Sequence, residues 1–205
     1  MKNKIIKDAL ALTLITLVAG VALGGVYEIT KDPIAKQEAQ AKAEAYEQVF
    51  TDAAAFEEVE MDDTLTKTIR DQLDQEGYKA QSIEEVMRAE DQSGETLGYA
   101  FTVVTSEGYG GDIRFSMGVQ NDGTLNGISI LSIGETAGLG MNADTPAFKD
   151  QFVGKQVEKL QYTKNGATQD DEINAISGAT VTTNAMTNGV NAGLCAFRVM
   201  EGGDQ

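Results

Sequence analysis

Ile113-Arg114-Phe115-Ser116-Met117-Gly118-Val119, then Asn121-Asp122-Gly123, then Leu125-Asn126-Gly127-Ile128-Ser129-Ile130-Leu131-Ser132-Ile133, is the stretch that decides the architecture. Two runs rich in β-branched and aromatic residues flank a turn whose Asp-Gly pair tolerates positive φ, so the reading is an antiparallel hairpin. Upstream, Ile83 to Ala89 and Leu97 to Thr105 have the same strand texture. Downstream, Thr145-Pro146 reads as a helix start, with Thr145 as N-cap and proline at the first helical position, running to about Val153 and stopping at Gly154. Val157 to Thr163 and Glu172 to Ile176 are again strand-like, joined through Asn165-Gly166. A last helix is expected from Thr182 to Met200, with Met186, Val190, Leu194 and Phe197 on one buried face and Gly202-Gly203 closing it. Before the strands, Asp62 to Glu76 reads as an amphipathic helix ending at Gly77. The fold class is therefore α+β, an antiparallel sheet with packed helices.

The amino-terminal part has another character. Asp8 and Glu28 bracket a run from Ala9 to Tyr27 without a charge. As a helix it spans about 28 Å, close to the ~30 Å of hydrocarbon in a bilayer. That length favours a retained anchor over a cleaved signal, whose apolar core is usually ~7–15 residues. Gly20-Val21-Ala22-Leu23-Gly24 spells a GxxxG pattern of the kind that lets membrane helices approach. Lys2, Lys4 and Lys7 precede the span and Lys31, Lys36 and Lys42 follow it, so only the short basic tail leans towards an inside amino terminus. After Asp32-Pro33, Ile34 to Phe50 is rich in Ala, Glu, Lys and Gln with few large apolar residues, and reads as a solvated helix. The expected organisation is a cytoplasmic tail at 1–8, a transmembrane helix at 9–29, a helical stalk and first helices of an outer domain at 30–80, and the main domain at 81–205.

Composition removes several functions. The 205 residues carry 16 basic and 32 acidic side chains, a formal net charge of −16 that repels a nucleic-acid backbone. With no histidine, a serine nucleophile has no imidazole base, and no GxxxxGK[ST] loop is present. Cys195 is the single thiol and lies in the apolar run Leu194-Cys195-Ala196-Phe197, so it reads as a buried small hydrophobe. Redox chemistry, if any, would have to come from a bound group.

Three glycine-rich places are the candidates for holding one. Gly108-Tyr109-Gly110-Gly111 falls between strands and alone reads as a flexible turn. Gly134-Glu135-Thr136-Ala137-Gly138-Leu139-Gly140 follows a strand, bends at glycine three times and carries a carboxylate and a hydroxyl. Asn174-Ala175-Ile176-Ser177-Gly178-Ala179-Thr180 leads into the last helix, where free N–H groups suit a phosphate. By composition and spacing alone, a plain Ser/Thr helix cap is the favoured reading of this third segment.

Ser177-Gly178-Ala179-Thr180, preceded by Ala175-Ile176 and followed by Val181-Thr182, resembles the flavinylation motif of the FMN-binding domain family. That family includes RnfG of the Rnf electron-transport complex and its counterpart in the sodium-pumping NADH:quinone reductase. Glu135-Thr136-Ala137-Gly138-Leu139-Gly140 is similar to the family's Glu-Thr-Pro-Gly-Leu-Gly, with Ala137 replacing proline, and Asn174 stands where the motif commonly has Asp. The resemblance implies covalent FMN on Thr180 through a phosphoester, installed by a flavin transferase that uses FAD and releases AMP. It places Glu135, Thr136, Leu139 and Gly140, with Ser177, Gly178, Ala179 and Thr182, around the cofactor, though Thr182 and Thr183 are hydroxyls near enough to compete. It also implies an FMN-binding domain on the extracytoplasmic side of the inner membrane. The chain would then be the electron-transfer subunit of an Rnf-type ion-translocating ferredoxin:NAD oxidoreductase, partnered by the other membrane and peripheral subunits. Alternatives are the corresponding flavoprotein of the quinone reductase, a stand-alone extracellular flavoprotein reductase, and a flavin-free structural anchor.

Overall fold

A computed structural model describes residues 2–202 as two units, the first ending at Ala41 and the second beginning at Lys42. The first unit is helical throughout, part of α1 (Lys2–Val49). It supplies a helix long and apolar enough to cross a membrane, and the side chains of its apolar run are exposed. Thr13 and Thr16 donate to the Ala9 and Leu12 carbonyls at 2.9 and 3.1 Å, so their hydroxyls are satisfied inside the helix, as a lipid environment requires. Sequence reasoning starts a new helix after Pro33; instead α1 runs through that proline. Proline removes one backbone bond, but helix-forming residues on both sides carry the helix past it.

In the second unit the chain order is β1 (Ala55–Glu58), α2 (Asp63–Glu76), β2 (Gln81–Glu90), β3 (Thr96–Thr105), β4 (Ile113–Gln120) and β5 (Leu125–Ser132). These five strands pair in sequential antiparallel order, and the Asn121-Asp122-Gly123 turn joins β4 to β5. A 3₁₀ turn (Gly140–Asp144), α3 (Pro146–Lys149), a second 3₁₀ turn (Asp150–Phe152), β6 (Gln161–Thr163), β7 (Glu172–Asn174) and α4 (Thr180–Gly202) follow. Gly203, assigned to the end of the last helix, lies outside the described residues. Asp62 caps α2 by accepting from Leu65 N, and Gly77 ends it at φ +91. Thr145 does not cap α3, because its hydroxyl turns back to the Asn142 carbonyl of the preceding turn at 2.7 Å. β6 and β7 form a separate parallel pair, so Asn165-Gly166 belongs to a longer connection and not to a hairpin.

The sheet is two-faced. Phe101, Val103, Ile113, Phe115, Met117 and Val119 point to the side covered by α4 and form the main core. Helix α4 is buried on nearly every side from Thr182 to Phe197, not along one stripe. Gly189 and Gly193 let it close on the sheet: a Cβ at 189 would lie 2.8 Å from the Phe115 ring, and one at 193 would collide with the Met117 thioether. Cys195 sits within this core, and burial, together with the Glu76 carboxylate beside it, pushes its thiol up to about 12.

The other face carries small side chains, including Gly98, Ala100, Thr102, Ser116 and Gly118. Here Tyr46, Val49 and Phe50 are buried, where sequence reasoning expects a solvated helix. The spacing 46, 49, 50 puts all three on one side of the last turns of α1. The Tyr46 hydroxyl donates to Glu85 at 2.8 Å and pairs with Thr102 at 2.7 Å, and Lys42 bonds the same Glu85 carboxylate. Burial pushes the Tyr46 phenol above its ordinary value. Burial also opposes ionisation of Glu85, but the bonds from Lys42 and Tyr46 outweigh it and hold the carboxyl below the usual range.

A carboxyl depressed in the folded state contributes stability above its unfolded value of ~4.3, and that contribution is lost as pH falls through the lower native value. Glu85→Gln is therefore expected to cost about 1–3 kcal/mol at pH 7, by analogy with other charged hydrogen bonds, and progressively less towards pH 3. Urea midpoints at the two pH values measure this. Cys195 is expected to resist iodoacetamide at pH 8 in the native chain and to react at once in denaturant, as intact mass would report.

Candidate functional site

The loop after β5, the loop between β3 and β4, and the start of α4 meet in one cleft of about 600 Å³, within the range of small-molecule sites. Its lining includes Tyr109, Glu135, Thr136, Leu139, Gly140, Gly178, Ala179, Thr180, Val181 and Thr182. Of the site residues expected from sequence, only Ser177 is left out of the wall; it is exposed on the adjoining turn. Tyr109 and Val181 line the cleft as well, and sequence reasoning does not select them.

One buried carboxylate fastens the three segments. Glu135 Oε1 accepts from Gly110 N at 3.1 Å and Oε2 accepts from the Thr182 hydroxyl at 3.0 Å. Gly140 lies against this pair, since a Cβ there would fall 2.6 Å from Thr182 Oγ1 and collide with Glu135. Glu107 adds a second tie from the same loop, accepting from Asn184 and Asn188 of α4 at 3.2 and 2.7 Å. The Gly108–Gly111 segment, which reads as a flexible turn in sequence, is thus held from two sides. A Cβ at Gly110 would overlap the Gly134 carbonyl, so glycine is needed for that approach.

The three candidate hydroxyls at the head of α4 have different surroundings. Thr183 is buried, accepts from Ile176 N at 3.0 Å and donates to the Ala179 carbonyl at 2.9 Å, so it is the residue that closes the turn. Thr182 is buried and committed to Glu135. Thr180 is half-buried in the cleft wall, and its hydroxyl makes no hydrogen bond among the described residues. Ala179 precedes the helix and has no side-chain oxygen to cap it, so the free N–H groups of the first turn remain for another acceptor. Gly178 makes the turn at φ +77, and Ala179 N bonds the Ile176 carbonyl at 3.0 Å. Asn174 lies away from the cleft and accepts from Ala167 N at 2.7 Å.

The opposite chemistry lies beside this polar corner. Beyond Ala41, the exposed large hydrophobic side chains among the described residues are Tyr109, Leu139, Val153 and Val181, and all but Val153 line the cleft. Among the described residues, no lysine or arginine lines it. An apolar wall, a free hydroxyl and unpartnered helix N–H groups fit a ligand with a flat apolar part and a phosphate, which describes FMN.

The comparisons with known proteins agree with this geometry. The FMN-binding domain family matches residues 108–194, which begin at the Gly108 loop and contain the whole cleft lining. The RnfG N-terminal region matches residues 1–49. The G subunit of the Na(+)-translocating ferredoxin:NAD(+) oxidoreductase complex of Acetobacterium woodii is 32% identical over 95% of this chain and 92% of its own length. The chain belongs to the RnfG family. The G subunit of the Proton-translocating ferredoxin:NAD(+) oxidoreductase complex of Clostridium ljungdahlii is 28% identical over 98% of this chain and 96% of its own. By contrast, the C subunit of the Na(+)-translocating NADH-quinone reductase of Pasteurella multocida matches at 41% but over only 35% of this chain and 31% of its own. Similarity along the full length separates the two branches that the sequence motifs alone leave open.

Glu135→Gln puts an amide nitrogen where one of two donors needs an acceptor. It is expected to speed amide exchange across residues 108–111 several-fold and to destabilise the domain by about 1–3 kcal/mol. Exchange mass spectrometry that finds the loop equally protected would remove Glu135 from this fastening role.

Proposed function

We propose that this chain is the membrane-anchored electron-transfer subunit of an Rnf-type ion-translocating ferredoxin:NAD oxidoreductase, carrying FMN in the cleft through a phosphoester to Thr180. The observation that carries the attachment point is the difference among the three hydroxyls: Thr182 and Thr183 are already bonded inside the protein, and Thr180 is not, among the described residues. In maturation, Thr180 Oγ1 bonds the FMN phosphorus of FAD while the pyrophosphate P–O bond breaks, AMP departs and the hydroxyl proton is released, with a flavin transferase as catalyst. The N–H groups of the first turn of α4 then face the phosphate charge, a needed compensation where no described basic side chain lines the wall. Leu139 and Val181 give the isoalloxazine an apolar seat, and Glu135 keeps the seat's three segments in register. FMN, when bound, supplies the capacity to take up electrons and pass them on. The protein's share is holding, orienting and partly drying the site.

In this reading, residues 1–8 are a cytoplasmic tail and 9–29 the membrane span, and the cleft lies on the extracytoplasmic side. The other subunits of the complex are its partners. A covalent link suits that side, where a dissociated flavin would be lost to the surroundings.

Thr180→Val, co-expressed with a flavin transferase, is expected to lose the ultraviolet-fluorescent band in denaturing gels and to drop in intact mass by one FMN. Thr182→Val is expected to keep both signals while losing about 1–3 kcal/mol of stability, because the buried Glu135 carboxylate loses a donor. Flavin retained in the first variant and lost in the second would move the attachment to Thr182.

A further inference from the structure

We infer that the Tyr109 ring is the cover of the cleft, lying against the isoalloxazine and shielding it from water. This rests on the flavin-carrier reading above. Tyr109 is the only aromatic side chain in the lining among the described residues, and it is 77% exposed in a unit whose other large apolar groups, apart from Leu139, Val153 and Val181, are at least partly buried among the described residues. Such exposure calls for a partner, because an aromatic ring gains most when a flat surface lies against it.

The backbone beneath it is fixed. Gly110 is bonded to Glu135, Gly108 has no room for a Cβ beside the Gly111 carbonyl and Glu135 Oε1, and Gly111 adopts φ +118. The loop therefore presents the residue from a rigid base, while its ring, free of internal packing, can turn about its own side-chain bonds. The remaining exposed apolar residues of the lining, Leu139 and Val181, complete an apolar enclosure that polar headgroups or sugars would not need. A planar conjugated ring system is the occupant this enclosure fits. A phenol also has a consequence that an aliphatic cover lacks: on excitation, Tyr109 gives one electron to the flavin and takes it back, so light emission falls with no net chemistry.

The test uses the full chain in detergent after co-expression with a flavin transferase, with loading verified by intact mass. Time-resolved flavin fluorescence and iodide quenching are then compared for wild type, Tyr109→Phe and Tyr109→Ala. The wild type is expected to show a short dominant lifetime. Both variants should lengthen it several-fold, and only Tyr109→Ala should admit iodide several-fold more readily, since phenylalanine still covers the ring. Equal lifetimes and equal iodide access in loaded wild type and Tyr109→Ala would overturn the assignment. So would unchanged fluorescence of Tyr109→Ala together with loss of partner subunits when the same variant is purified from its native membrane, which would make Tyr109 a protein contact instead. A wild type whose mass shows no flavin would overturn the carrier reading and this one with it, and the mass measurement alone tells that failure from the other two.

Discussion

The close approach of α4 to the sheet is the constraint on which the rest depends. Gly189 beneath Phe115 and Gly193 beside Met117 leave no space for a methyl group, so the helix has one seat. Once seated, its first turn can lie in only one place relative to the strands. The cleft is formed where that turn meets the loops that leave β3 and β5. The glycines of the helix and those of the loops thus serve different ends: the first set permits packing and the second permits the backbone to reach the site.

Glu135 converts this proximity into a fixed arrangement. A buried carboxylate without partners would be costly, and here each oxygen has one donor from a different segment. The same bond that satisfies Glu135 occupies Thr182, which leaves Thr180 as the hydroxyl of the three without a hydrogen bond among the described residues. Structural need and chemical availability have been divided between neighbouring threonines.

Much of this is legible in the residues. The Asp122-Gly123 turn and the Val, Ile and Phe runs around it locate β2 to β5 closely, because those residues favour strands and that turn favours a hairpin. The resemblance of Glu135–Gly140 and Ser177–Thr180 points to two of the three walls of the cleft. Strand β1 escapes sequence reasoning since Ala55-Phe56-Glu57-Glu58 is a short, mostly exposed edge with weak propensity. Pro33 looks like a helix end only while a local rule is applied without regard to the strong helix formers on both sides. Tyr46, Val49 and Phe50 escape because counting apolar residues in 34–50 hides their shared side. Tyr109 escapes because glycine-rich turns look alike in sequence; what distinguishes this one is its bond to a carboxylate 25 residues away.

The second compact unit begins at Lys42, inside a helix and not at a linker. The end of α1 is therefore part of the domain, with Tyr46, Val49 and Phe50 packed into its second core cluster. A fragment started beyond Phe50 would strip the covering from Ala89, Ala100, Gly98 and Gly118 and bare a smooth, sticky surface. The last turns of α1 belong to the domain's own packing, and a graft of this domain behind another helix would have to carry them along.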